Sequence, residues 1–466
     1  MIRRLFSFRN YVLFWALIGH FGAAYFVVKV AYPHRQQVIS LMYEYLYFDS
    51  SKPVPLSEVM AFWQQKIQPQ LLQSVTEPNA LRVITVADTS KFRRAIKNAK
   101  PGDHIVLGPG TFKLSGKYLK FSNAGSAELP ITLSASKAWT TRIEMNMSEG
   151  FYIEAPYWRI QGVELVGTCA TDRKCEHAFH IVGEGHHTQL IGNRISGFNS
   201  HIKANPKDGK WPDDALIVGN SFVNPAPRKT RSPVTLIDVV AASGWQVRNN
   251  FIANFKKDGS DYTSYAAFFK GAGRNNSFES NVVLCSENKN PKFTQVGLSF
   301  GGGGTNTRVC RDQQCLYEHD EGVIQGNVVA NCSDVGIYLN KSNNTLVSNN
   351  TLYNTLGIDV RFPESTAVVI NNLFSGRLKE RNGGTVKFSS NNWELPVDST
   401  FGDSFATLFS AAHRLDFSLK SSRPEIPEAI ENKRMNKDLC GKGSLSNHLY
   451  IGAFDYHLRQ NCLLSY

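Results

Sequence analysis

The stretch GNVVANCSDVGIYLNKSNNTLVSNNTLYNTLGIDVRFPESTAVVINNLFS, residues 326–375, states one pattern three times. An asparagine is followed by any residue and then an apolar one: Asn327 in GNVV, Asn350 in NNTL and Asn372 in NNLF. Working outward, Asn193 (GNRI), Asn220 (GNSF), Asn250 (NNFI) and Asn281 (SNVV) precede these marks, and Asn392 (NNW) follows. The intervals along the chain are 27, 30, 31, 46, 23, 22 and 20 residues. Units this short, and this rich in Val, Ile and Phe, exclude helical-hairpin repeats and signal a β-solenoid. One asparagine per unit predicts a ladder whose amides bond from coil to coil, since buried polar groups must be paired. The expected fold is all-β, a right-handed parallel β-helix over residues 81–400. The 46-residue interval is read as one coil plus an insertion holding the glycines 301–304 and CRDQQC (310–315).

The rest of the chain is bounded by composition. It has 466 residues, 42% apolar and 19% charged, which excludes wholesale disorder. Lys+Arg exceeds Asp+Glu by 51 to 39, a net charge of +12 that favours an anionic partner: acidic polysaccharide, anionic lipid or nucleic acid. Basic and aromatic residues are not interleaved in a recognised module, so a nucleic-acid partner is not expected.

Arg3, Arg4 and Arg9 precede an apolar run over residues 11–32, about the ~20 residues that cross a bilayer. The expectation is a basic cytoplasmic tail (1–10), a single transmembrane anchor (11–32) and an inner-membrane protein with its main domain in the periplasm. The rival is a signal peptide cleaved near residue 24, giving a secreted chain. Residues 33–80 read as a helical spacer, with Ser57 capping a helix that carries Val59, Met60, Phe62, Trp63 and Ile67 before Pro69. Residues 401–466 read as a closing segment. All eight cysteines follow the anchor, and an even number suits an oxidising compartment. Proximity suggests Cys169–Cys175, Cys310–Cys315 and Cys440–Cys462, which leaves Cys285–Cys332, although eight cysteines allow 105 pairings. No C-x-x-C or paired-His spacing points to a metal site.

The opening VITVADTSKFRRAIKNAKPGDHIVLGPGTF (83–112) reads as strand, helix capped by Asp88, turn and strand. It resembles the start of parallel β-helix polysaccharide lyases of the alginate lyase and chondroitinase B type. IGAFDY (451–456) resembles their closing strand. The resemblance implies a right-handed β-helix and an anionic, uronic-acid polysaccharide as partner. FFKGAGRNNSFESN (268–281) is similar to the family's catalytic-lysine strand, which implies Lys270 as the base. The family's acidic calcium ligands, five and seven residues earlier, correspond to Tyr265 and Thr263. Neither replaces a carboxylate, so no cofactor is expected even though the resemblance implies calcium.

Each coil should set a strand ten to thirteen residues before its asparagine: TLIDV (235–239), AAFFK (266–270), GLSFG (297–301), GIYLN (336–340) and GIDVR (357–361). Alternation turns Asp238, Phe268, Lys270, Ser299, Gly301, Tyr338, Asn340, Asp359 and Arg361 outward. Abstracting the proton α to a carboxylate needs a base, a neutraliser for that carboxylate and an acid for the leaving oxygen. Lys270, Arg361 and His319 are the candidate catalytic residues. Asp238, Tyr338, Asn340 and Asp359 are the candidate substrate contacts. The expected activity is a lyase or C5 epimerase on a uronic-acid polymer, since both reactions pass through one carbanion. The alternatives are a non-catalytic envelope β-helix that binds or guides a polysaccharide, and hydrolysis by an Asp238–Asp359 pair.

Overall fold

The computed structural model describes residues 55–73, 80–287, 289–290, 292–302, 304–397, 404–420, 429–430, 439 and 450–454. The helix Thr89–Lys97 closes the N-terminal end, and its Asp88 cap accepts from the Lys91 amide. Every later coil but the last contributes one strand to each of three parallel sheets, of twelve, ten and eleven strands. This is a parallel β-helix. Its register is held almost residue for residue: Ile237, Ala267, Leu298, Ile337 and Ile358 are successive Cα partners, all fully buried. Each Ile or Leu in the file contributes roughly 1.5–3 kcal/mol on leaving water.

The asparagine ladder is continuous. Asn193, Asn220, Asn250, Asn281, Asn327, Asn350 and Asn372 each donate Nδ2 to the Oδ1 of the next, ending on Asn392, at 2.9–3.1 Å. Asn281 bonds directly to Asn327, so the 46-residue interval is one coil carrying an insertion. The residue before each ladder asparagine has φ between 52° and 68°. That left-handed conformation suits Gly or Asn, which explains the GN and NN dipeptides.

The outer side of the eleven-stranded sheet is apolar and covered. Phe251, Val282, Val328 and Leu373 are buried there beneath residues 56–73 and the C-terminal segment. The N-terminal piece is no loose spacer where it is described. Val59 and Trp63 are buried, Trp63 packs 5.8 Å from the Phe251 ring, and Gln68 donates to the Asn193 and Gly219 carbonyls. Its helix starts at Leu56 after Pro55, not at a Ser57 cap. A π-helical turn, Trp63–Ile67, lets it pass Pro69 and run on through Gln68–Gln73. IGAFDY forms no strand over its described residues. Ile451 and Ala453 are buried against the coils, with Gly452 donating to the Asn371 carbonyl and Ala453 to the Thr351 hydroxyl.

Disulfides join Cys169–Cys175, Cys285–Cys332 and Cys310–Cys315. The expected Cys440–Cys462 pair lies outside the described residues, as does the expected anchor at 11–32. Among the described residues no helix is long and apolar enough to cross a membrane.

Candidate active site

The outer face of the ten-stranded sheet points away from the apolar core, and parallel register lines up one outward position per strand. The central file begins Lys120, Tyr152, His180, Lys203 and Asp238. It continues through Phe268, Ser299, Tyr338 and Asp359 to Lys379. Two residues further along the strands runs a second file with Lys270 opposite Val240, and Arg361 opposite Asn340. The outward set expected from alternation therefore shares one face.

Lys270 ends the strand Thr263–Lys270. Its ammonium lies 4.6 Å from the Phe268 ring centre, and Gly302 packs on its stem and on that ring. Burial pushes its pKa below the ordinary lysine value; Lys203 adds to this, while Asp238 and Glu318 oppose it. An amine held that way gives up its proton more readily, as a general base requires. Gly301, with φ +78°, lies so close to the Asn340 carbonyl that a Cβ has no room.

Two strands on from Lys270 stands Tyr338. Its hydroxyl oxygen accepts from Arg361 Nη1 at 3.1 Å and from Asn340 Nδ2 at 3.2 Å. With two donors on the oxygen, the phenolic proton is left to point away from both. Arg361 Nε and Asn340 Oδ1 are buried and have no hydrogen-bond partner among the described residues. Buried polar atoms of this kind call for a ligand or water. The strand Thr294–Phe300 lies between Lys270 and Tyr338. There Ser299 turns its hydroxyl down to the Tyr338 and Gly301 carbonyls. The result is a gap of two strand spacings, about 9.6 Å, between residues with long side chains; the small residues Ser299 and Gly301, both buried, fill the positions between them. Lys270 forms one wall; Tyr338, Asn340 and Arg361 form the other.

The insertion builds a further wall. Arg311 donates its amide to the Gly271 carbonyl, pairs its guanidinium with Asp213, and lies 4.6 Å from the Trp211 ring. Glu318 accepts from the Gly271 amide at 2.9 Å and the Thr305 hydroxyl at 2.7 Å.

Three expectations need correction. His319 is not beside the groove. It is fully buried, stacked 4.1 Å from the Phe300 ring with Nε2 3.1 Å from the Asn276 amide, and burial pushes its pKa down to about 3. The short strand His319–Asp320 pairs with Gly273–Arg274 at a corner between sheets, which turns the imidazole inward. Asp238 is 4% exposed and pairs with Lys203 at 2.8 Å, so it holds a cation rather than standing open to sugar. Asp359 is likewise buried, and Arg381 of the next coil clamps both its oxygens. The two aspartates are four strand spacings apart, about 19 Å, too far for a hydrolytic carboxylate pair at ~6.5–9.5 Å.

The calcium positions fail as ligands. Thr263 bonds the Asp261 carbonyl, and Tyr265 packs with Val296, Val335 and Tyr338 while burial raises its pKa to about 12. These residues do not fit a cation. Among the described residues no group of three His, Cys, Asp or Glu side chains is placed to hold a metal.

Sequence reasoning missed His180, Lys203 and Arg381. The strands His177–Val182 and Arg377–Arg381 sit at the expected spacing before Asn193 and Asn392, so that rule reaches His180 and Arg381. Ser200–Asn205 lies further from Asn220 because residues 206–215 intervene, and the rule passes over Lys203.

The Chondroitinase B family model matches residues 86–208. Pectate lyase L of Dickeya dadantii (strain 3937) is 25% identical over 229 residues, covering 40% of this chain. The chain spans 50% of the length of that relative. The crystal structure of pectate lyase Pel9A matches 83% of this chain and 99% of its own, at 15% identity and a TM-score of 0.55. An alginate lyase structure from Paenibacillus sp. str. FPU-7 matches 68% of this chain and 96% of its own, at 18% identity and a TM-score of 0.40. The chain thus resembles polysaccharide lyases in sequence, and Pel9A supports the parallel β-helix fold.

Proposed function

We propose that this chain, so similar to the parallel β-helix polysaccharide lyases, cleaves an anionic uronic-acid polysaccharide by β-elimination in the Lys270–Tyr338 gap. A uronate ring seated over the two glycines has Lys270 on one side. Neutral Lys270 takes the C5 proton. The C5–H electron pair becomes the C4=C5 double bond, and the C4–O bond breaks. Tyr338 gives its proton to the leaving oxygen. Arg361 and Asn340 pair with the carboxylate on which charge develops. The observation that carries this reading is the opposition, across two glycines, of a lysine with a lowered pKa and a tyrosine whose oxygen already accepts two hydrogen bonds.

The three disulfides support an oxidising, exported location for the solenoid. Residues 11–32 are proposed as the route, either as an inner-membrane anchor or as a removed leader.

The test is incubation of the purified full chain with alginate and with polygalacturonate, recording the absorbance of unsaturated ends. Growth of that absorbance is expected with one of them. A polymer that is bound but never cleaved replaces the enzyme with a binding β-helix.

A further inference from the structure

We propose that the N-terminal part of the same outward face is a distal subsite, where the rings of Tyr118 and Tyr152 hold the far end of the anionic polysaccharide. This rests on the reading of the Lys270 gap as the place where that polymer is cut. The two rings stack, 4.9 Å between centres and 29° between planes. Tyr118 is 38% exposed, unlike the aromatics of the core. An open phenol ring offers a flat apolar face to the C–H side of a pyranose.

Cations surround this platform. Lys117 stands 5.6 Å from the Tyr118 ring centre and Lys207 stands 5.5 Å from that of Tyr152. Lys120 and Lys207 share Glu154, and Lys117 pairs with Glu149. Three lysines against two glutamates leave the patch positive, and all three side chains are exposed. Charge and ring together suit a sugar that carries a carboxylate. The platform is also rigid. His180 lies edge-on to Tyr152 at 5.3 Å, with its ring nitrogens 3.0 Å from Glu149 and 3.2 Å from Asn205.

Position identifies the occupant. Tyr152 and Phe268, the ring under Lys270, lie in one file. Four strand spacings separate them, about 19 Å. Lys203 stands between them on the same line. A polymer several rings long in the gap therefore runs onto Tyr152 and Tyr118. A trisaccharide in the gap does not reach them.

The test measures dissociation constants in a full-length Lys270→Ala background, so that the probes stay intact. The probes are alginate and polygalacturonate, each as polymer and as trisaccharide. Tyr118→Ala with Lys207→Ala is expected to weaken polymer binding about tenfold and leave trisaccharide binding unchanged. Tyr118→Phe should bind like its parent, since the ring face and not the hydroxyl makes the contact. Polymer binding that is unchanged, equal weakening at both lengths, or no binding to either polymer overturns the subsite. Failure of the elimination reading looks different. A chain with Lys270 intact then releases no unsaturated ends, while the length-dependent loss of binding persists.

Discussion

Lys270 and Arg361 occupy the same outward file, yet their surroundings ask different things of them. Lys270 is packed by Phe268 and Gly302 and has its pKa lowered by burial. Lys270→Ala should cut kcat by about 10²–10⁴-fold, the usual worth of a general base, with polymer binding retained. The active form is the neutral amine, whose fraction grows as pH rises, so wild-type kcat should climb with pH toward a plateau reached below the ordinary lysine value. A flat profile over that range removes Lys270 as the base. Arg361 spends one nitrogen on the Tyr338 hydroxyl and keeps Nε unpaired. Arg361→Lys loses the planar fork and should restore neither KM nor kcat. The outward phase of both residues was legible because alternation in a strand has a period of two. Their partners were not. Asp359 bonds Arg381, 22 residues on, and that pairing depends on coil length, which no local pattern reveals. His319 misled because a histidine set among Glu318, Asp320 and Glu321 reads as an exposed acid or base, whereas its imidazole fills a space beside Phe300.

The ladder is the element through which sequence and fold meet most plainly. A single residue type in one buried place per coil leaves a periodic trace, and the trace survives insertions because each coil returns to the next asparagine. Asn281 shows what one rung holds. Its Oδ1 accepts from the Asn250 amide and side chain, and its Nδ2 donates to the Val247 carbonyl and to Asn327. Asn281→Ala strips all four contacts from a site without water access. With buried unpaired groups costing ~1–3 kcal/mol each, the loss should reach about 3 kcal/mol or more. Guanidinium unfolding of this variant should show a clearly lower midpoint; an unchanged one denies the ladder its role. The covering helix and the C-terminal segment were harder to read. Val59, Trp63 and Phe405 are buried against apolar residues on the outer side of the eleven-stranded sheet, a surface that alternation alone assigns to solvent.

Across the whole molecule, the buried His201 and His319 and the partly buried His177 tie stability to pH. Burial pushes His177, His201 and His319 each down to about 3. Between there and the ordinary histidine value near ~6.5, the unfolded chain takes up protons that the folded chain refuses. Stability therefore falls as pH falls through that window, by roughly 1 kcal/mol per pH unit for each histidine. The melting temperature should drop steadily from pH ~6.5 to pH ~5, before most carboxylates titrate, and His319→Gln should flatten the slope; a slope unaltered by that change locates the proton uptake elsewhere. Solenoids of simple repeats fray from their ends, because each repeat touches only its neighbours. This chain is bound differently. Gln64 and Gln68 reach the turns of Asn193, Gly219 and Ser221, Arg311 reaches back to Asp213, and Gly452 and Ala453 reach Asn371 and Thr351. Like stitching through the spine of a book, these crossings fasten the leaves a second time. The leaves cannot be lost one at a time, and the central turns that carry the gap should stay closed until the whole binding gives way.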